Sequence, residues 1–174
     1  KKERGFTVNT WIELLNNDDY MGIKKYLKNG GDLSQTNESG ESVLACSLRA
    51  RCSIETIMLL VESGADILDF DDEGVSVFDM SITYGNTEMV NYLLAQNINA
   101  SDTKRRSGFT PLMAAVCYGR LEIVNILIAH GVKQKVRDSK GFTAMDFARK
   151  MNKKSILAVL ESDDDEPANI GYAR

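Results

Sequence analysis

The chain repeats itself at an almost constant interval. Gly40, Gly74, Gly108 and Gly141 recur every 33 or 34 residues, and the same kind of sequence follows each. The stretches are Gly40-Glu41-Ser42-Val43-Leu44, Gly74-Val75-Ser76-Val77-Phe78, Gly108-Phe109-Thr110-Pro111-Leu112 and Gly141-Phe142-Thr143-Ala144-Met145. The shared order is glycine, any residue, a hydroxyl residue, a small residue or proline, then a large apolar residue. Self-similarity at roughly 20–50 residues marks a chain built from stacked supersecondary units, none of which can bury its apolar face alone.

Each unit reads as two helices. Gly30-Gly31-Asp32-Leu33, Gly64-Ala65-Asp66-Ile67, Asn97-Ile98-Asn99-Ala100 and Gly131-Val132 keep the same interval and close helix-like segments. Between the two markers lie Ile57-Met58-Leu59-Leu60, Met89 to Leu94 and Ile123 to Ile128, with Glu55, Glu88 and Glu122 near their starts. A carboxylate there favours a helix N-terminus. Ser42, Ser76, Thr110 and Thr143 can cap the first helix of each unit, and Pro111 falls at a first helical position. Gly64 and Gly131 end second helices, and Asn97 replaces such a glycine because asparagine tolerates the left-handed region.

The same pattern sets the boundaries. Trp11, Ile12, Leu14, Leu15, Ile23, Tyr26 and Leu27 give a helix pair at the start. Phe142, Met145, Phe147, Ala148, Ile156, Leu157, Val159 and Leu160 give one at the end, with Arg149, Lys150, Lys153 and Lys154 as its polar face. One domain over 9–162 is expected, with units at about 9–36, 37–70, 71–104, 105–137 and 138–162. An arm precedes it at 1–8. Ser162-Asp163-Asp164-Asp165-Glu166-Pro167 opens an acidic tail, 163–174, expected to leave the fold and be mobile. Charge is uneven: net −7 over 1–87, +7 over 88–160 and −4 over 161–174.

Thr110-Pro111-Leu112-Met113-Ala114-Ala115, then Gly119-Arg120-Leu121-Glu122-Ile123-Val124-Asn125-Ile126-Leu127-Ile128 and Gly131, closely resembles the ankyrin repeat. The resemblance covers roughly residues 9–161. It implies an all-α ankyrin-repeat solenoid of about five stacked helix pairs, three internal repeats plus N- and C-terminal caps, with hairpin-like fingers. Against the family pattern T-P-L-H, the histidine is replaced by Ala45, Asp79, Met113 and Asp146. Ser76-x-x-Asp79 and Thr143-x-x-Asp146 instead have capping-box spacing. The turn around Arg51-Cys52-Ser53 and the finger from Ala100 to Ser107 are each one residue longer than the family's.

Chemistry is poorly represented. His130 is the single histidine and reads as a helix-end residue. The three cysteines, Cys46, Cys52 and Cys117, form no C-x-x-C pair, and an odd count argues against a disulfide framework. Asp69-Phe70-Asp71-Asp72-Glu73-Gly74 lacks the ligand spacing of a calcium loop and reads as a finger. No phosphate-binding glycine loop occurs. The expectations are therefore no catalytic residue, no metal site, no cofactor and no enzymatic activity in this chain. The longest aliphatic run is Ile57 to Val61, too short for the roughly 20 residues of a membrane span. A cytoplasmic location is expected. The chain opens without a methionine, which suits a fragment or a removed targeting peptide.

The resemblance implies a concave partner surface built from finger tips and exposed positions of the first helices. The expected contact residues are Asp72, Glu73, Val75, Tyr84, Arg105, Arg106, Phe109, Tyr118, Lys140 and Phe142, with Glu38, Ser39, Glu41, Arg49 and Ser107 also free of packing. Tyr84 and Tyr118 are equivalent, as are Phe109 and Phe142. Lys104, Arg105, Arg106, Lys133, Lys135, Arg137 and Lys140 fall on two successive fingers and should form one basic patch facing an acidic protein segment. Nucleic acid is disfavoured, since no aromatic stacking pattern accompanies the patch. The expected function is a monomeric protein-protein interaction scaffold or adaptor. The alternative is the regulatory domain of a larger enzyme whose catalytic part lies outside this chain.

Overall fold

A computed structural model describes residues 8–172, with side chains from residue 10 to residue 163. The expected arm at 1–8 lies outside the described residues except for its last position. Ten helices follow in five pairs: α1 Val8–Asn16 and α2 Tyr20–Lys28, α3 Val43–Arg49 and α4 Ile54–Glu62, α5 Val77–Thr83 and α6 Thr87–Ala95, α7 Pro111–Cys117 and α8 Leu121–Ala129, α9 Ala144–Lys150 and α10 Lys154–Tyr172. The odd-numbered helices pack in sequence as an inner row, α1 to α3 to α5 to α7 to α9. The even-numbered helices form an outer row, in which α4 and α6 make a looser pair than α2 and α4, α6 and α8, or α8 and α10.

The helices start where the sequence places hydroxyls. Ser42, Ser76, Thr110 and Thr143 each accept the N3 N–H of their inner helix. Asp79 and Asp146 return the bond to Ser76 N–H and Thr143 N–H at 2.9 Å each, completing the two expected capping boxes. A third return bond comes from Met113, whose Sδ accepts Thr110 N–H at 3.4 Å. Asp19, Ser53 and Asn86 cap α2, α4 and α6. Arg120 precedes α8 without a side-chain cap; its Nη2 instead donates to the Thr83 carbonyl at 2.7 Å, tying α8 to the C-terminus of α5.

The core is one continuous apolar layer between the rows, with Leu44, Leu48, Ile57, Leu60, Ile82, Met89, Leu93 and Leu112 fully buried. The whole of Pro111–Val116 is buried, as expected of the near-consensus unit. At the N-terminal end Trp11 packs edge-on against Tyr26 with ring centroids 4.8 Å apart, and its Nε1 donates to the Asp32 carbonyl at 2.9 Å.

Fingers link successive pairs over 29–42, 63–76, 96–110 and 130–143, so the third carries one more residue than the others. The other extra residue is Cys52, in the turn between α3 and α4. It is buried, and its thiol donates to the Leu15 carbonyl at 3.1 Å. Finger-tip glycines sit where the next finger presses. All have positive φ, and a Cβ on Gly74 would stand 2.2 Å from the Lys104 carbonyl oxygen, one on Gly108 3.0 Å from Ser139 N. Gly141, in the last finger, has nothing near it.

The acidic segment begins inside a helix. It continues α10, which runs to Tyr172, and the Asp163 carboxylate accepts a hydrogen bond from the Gln134 amide of the last finger. No glycine or proline between Lys154 and Glu166 stops the helix there.

Candidate partner-binding site

Each finger but one turns on a short polar side chain. Asn37, Asp71 and Asp138 stand three residues before Gly40, Gly74 and Gly141. The Oδ1 of each accepts two N–H groups: Ser39 and Glu41 at 3.0 and 2.9 Å, Glu73 and Val75 at 2.9 Å each, Lys140 and Phe142 at 3.0 and 2.8 Å. Asparagine and aspartate do this because their side chains reach the backbone two residues on. The main chain at Glu73, Val75, Lys140 and Phe142 is therefore set before any partner arrives.

The third finger has Arg105 in that register, which cannot accept. Thr103 Oγ1 takes the Arg105 N–H at 3.1 Å and Ser107 Oγ takes the Phe109 N–H at 3.3 Å. The Arg105 side chain turns under the finger and is 18% exposed, with Nε 3.7 Å from Asp79 Oδ2 and the guanidinium 5.2 Å over the Phe109 ring. That distance is an ion pair but too long for a hydrogen bond, and Arg105 Nε and Asp79 Oδ1 are both buried without hydrogen-bond partners. Burial pushes the Asp79 carboxyl above the usual range, while Arg105 and the Ser76 bonds pull it down. Arg105 is thus the counter-ion of a buried carboxylate, not a free contact.

This thins the expected basic patch. Arg137 Nη1 is spent on the Gly141 carbonyl at 2.6 Å, and Lys104 Nζ lies 4.8 Å over the Phe70 ring of the preceding finger. Lys104, Arg106, Lys133, Lys135, Arg137 and Lys140 are all exposed, so only Arg105 is withdrawn from the surface.

The equivalent aromatics fare differently. Tyr84 and Tyr118 are the C-caps of α5 and α7. Tyr84 is half-buried between Arg49 and Arg51, 5.8 and 5.5 Å from its ring, with Arg49 Nη1 donating to its hydroxyl at 3.1 Å. Tyr118 has no such neighbours in its register and is 52% exposed. Phe109 is half-buried edge-on against Phe147 at 5.7 Å. Phe142 leans on the same ring at 5.9 Å yet stays 37% exposed, with Lys150 Nζ 5.3 Å over it. Val75 is half-buried against the core, while Asp72 and Glu73 are exposed. Glu41, expected to be free, is buried, bonded to Arg49 and to Asn37 Nδ2 at 2.8 Å. The accessible remainder is Asp72, Glu73, Arg106, Tyr118, Lys140 and Phe142.

The chemistry-bearing residues are quiet. Burial pushes the Cys46 thiol up to about 11 and that of Cys52 up to about 12, and raises Cys117 as well, opposite to what a nucleophile needs. Asp69 and Asp71 spend their Oδ1 atoms on main-chain N–H groups. Among the described residues no group of three or more His, Cys, Asp or Glu could hold a metal ion, and no helix is long and apolar enough to cross a membrane.

One feature escaped the sequence reading. Leu68 and Phe70, on alternate positions of the acidic second finger, are exposed beside an open groove against the third finger. The signal available was a pair of large apolar residues set among Asp66, Asp69, Asp71 and Asp72 in a finger.

Stacked helix hairpins with a shared core and projecting fingers define a helical repeat solenoid. The family model for ankyrin repeats, in three copies, matches residues 14–103 and 96–169, and the chain belongs to the ankyrin repeat family. Members of that family generally mediate protein-protein interaction and are typically non-catalytic.

Proposed function

We propose that this chain is a protein-binding scaffold or adaptor that takes a partner across its finger tips and the C-terminal ends of its inner helices. The observation that carries the reading is the fixed backbone beneath exposed side chains. Asx turns hold Glu73, Lys140 and Phe142, and the α7 cap holds Tyr118. A preorganised surface loses little entropy on binding, and exposed aromatics near arginine commonly dominate interfaces. Asp72 and Glu73 on one finger and Arg106 and Lys140 on the later ones would orient a partner with complementary charge. The reading includes a monomer in the cytoplasm, and three free cysteines support a reducing compartment.

The test is a quantitative pull-down with parent protein and Tyr118→Ala, Phe142→Ala double variant. The parent should retain at least one protein that the variant loses by about tenfold or more. Identical retention by both would remove these residues from the interface. Arg106 is the arginine to vary beside them, because altering Arg105 also strips Asp79 of its counter-ion.

A further inference from the structure

The contact between the second and third fingers is the open one. Asp72 N–H reaches the Ser39 carbonyl at 3.4 Å across the first two fingers, and Ser139 N–H reaches the Ser107 carbonyl at 2.8 Å across the last two. Among the described residues no hydrogen bond joins 63–76 to 96–110. These fingers touch where Gly74 meets the Lys104 carbonyl, and beside that contact a groove of about 570 Å³ opens. Its third-finger wall is the segment with the extra residue.

The groove is amphipathic. Ile67, Leu68, Phe70, Phe78, Ile98 and Pro111 supply its apolar lining, with Leu68 62% and Phe70 47% exposed. An apolar patch with a polar rim marks an interaction site, and the volume falls in the roughly 300–1,000 Å³ range of ligand sites. The second finger is acidic: segment 63–76 carries Asp66, Asp69, Asp71, Asp72 and Glu73, of which Asp66, Asp72 and Glu73 are exposed, with no lysine or arginine, and Asp102 lines the opposite wall of the groove. Asp79 at the base is matched by Arg105, so Lys104 is the single cation lining the groove.

We infer that this groove is a second docking site, and that its occupant is a peptide segment of a partner with one large apolar side chain flanked by lysine or arginine. The apolar side chain lies between the fingers against Leu68 and Phe70. The flanking cations meet the carboxylates of the second finger, and a guanidinium or ammonium competes with Lys104 for the face of Phe70. The site is separate from Tyr118 and Phe142 and does not rest on their role.

The test selects a random-peptide phage library on the parent protein, then measures the enriched peptide by fluorescence anisotropy. The enriched sequences should pair a large apolar residue with Lys or Arg, and binding should weaken as salt rises. Leu68→Ser and Phe70→Ser should each weaken binding by about tenfold or more with unchanged melting curves, both side chains being exposed. Tyr118→Ala with Phe142→Ala should leave it unchanged. Failure to enrich, enrichment of acidic peptides, or binding indifferent to both serine variants would overturn the assignment. So would a concentration-dependent dimer abolished by Leu68→Ser in sedimentation, which would give the groove to a second copy of this chain.

Discussion

Arg105 and Asp79 illustrate how two substitutions rescue one another. Arginine at 105 removes the acceptor that turns the other fingers, and aspartate at 79 buries a carboxylate where the family has histidine. Facing each other at 3.7 Å, each offsets the other's cost. Removing one partner of a buried pair costs about 3–5 kcal/mol, and with Arg105 18% exposed the lower end applies, so Arg105→Ala should destabilise by about 3 kcal/mol at neutral pH. Because burial raises the folded-state pKa of Asp79, its proton favours the folded form. The ionised carboxylate weighs against folding as pH rises through that raised value, and acidification relieves it. Without Arg105 the value rises further. The stability gap between parent and Arg105→Ala should therefore shrink as pH falls from neutrality towards the ordinary aspartate value of about 4. Urea melts at pH 7 and pH 5 check this; a constant gap would show that the pair carries no charge dependence.

At the scale of elements, the seven-residue inner helices α3, α5, α7 and α9 are too short to stand alone and depend on caps and neighbours. Hydroxyl caps and their return bonds serve the N-termini. The C-terminus of α5 is served from outside, by Arg120 of the next pair reaching the Thr83 carbonyl. Orphan carbonyls there favour a cation. A hydrogen bond to a charged group contributes about 1.5–3 kcal/mol, so Arg120→Ala should lower stability by about 1.5–2 kcal/mol. Lysine at 120 should restore only part of it, since it lacks the planar fork. Chemical denaturation of the three proteins gives the comparison, and equal midpoints would mean the carbonyl finds water at no cost.

The whole molecule is a one-dimensional stack, and its energy is a sum over units and interfaces. The outer row is loosest between α4 and α6, where the second and third helix pairs meet. The stack should part there first. Trp11, the only tryptophan, reports the N-terminal half, while helical circular dichroism reports the whole. The C-terminal half holds the near-consensus unit with its fully buried α7, so Trp11 fluorescence should change at lower urea than the dichroism. Coincident transitions would show a single cooperative block.

Period, helix pairing, caps and core were legible in the amino-acid order alone, because they depend on contacts repeated at fixed separation. Ser76-x-x-Asp79, Thr143-x-x-Asp146, Pro111 and the glycine-to-asparagine change at 97 each carry a local signal that folding does not alter. The surface was legible only by register. Tyr84 and Tyr118 are indistinguishable in sequence, yet one is enclosed by two arginines from the preceding pair and the other is open. Glu41 and Arg105 looked free and are held by partners. The groove at Leu68 and Phe70 lies between two fingers of unequal length. Those outcomes depend on how neighbouring units sit against one another across more than thirty residues of chain, and only the tertiary structure decides that.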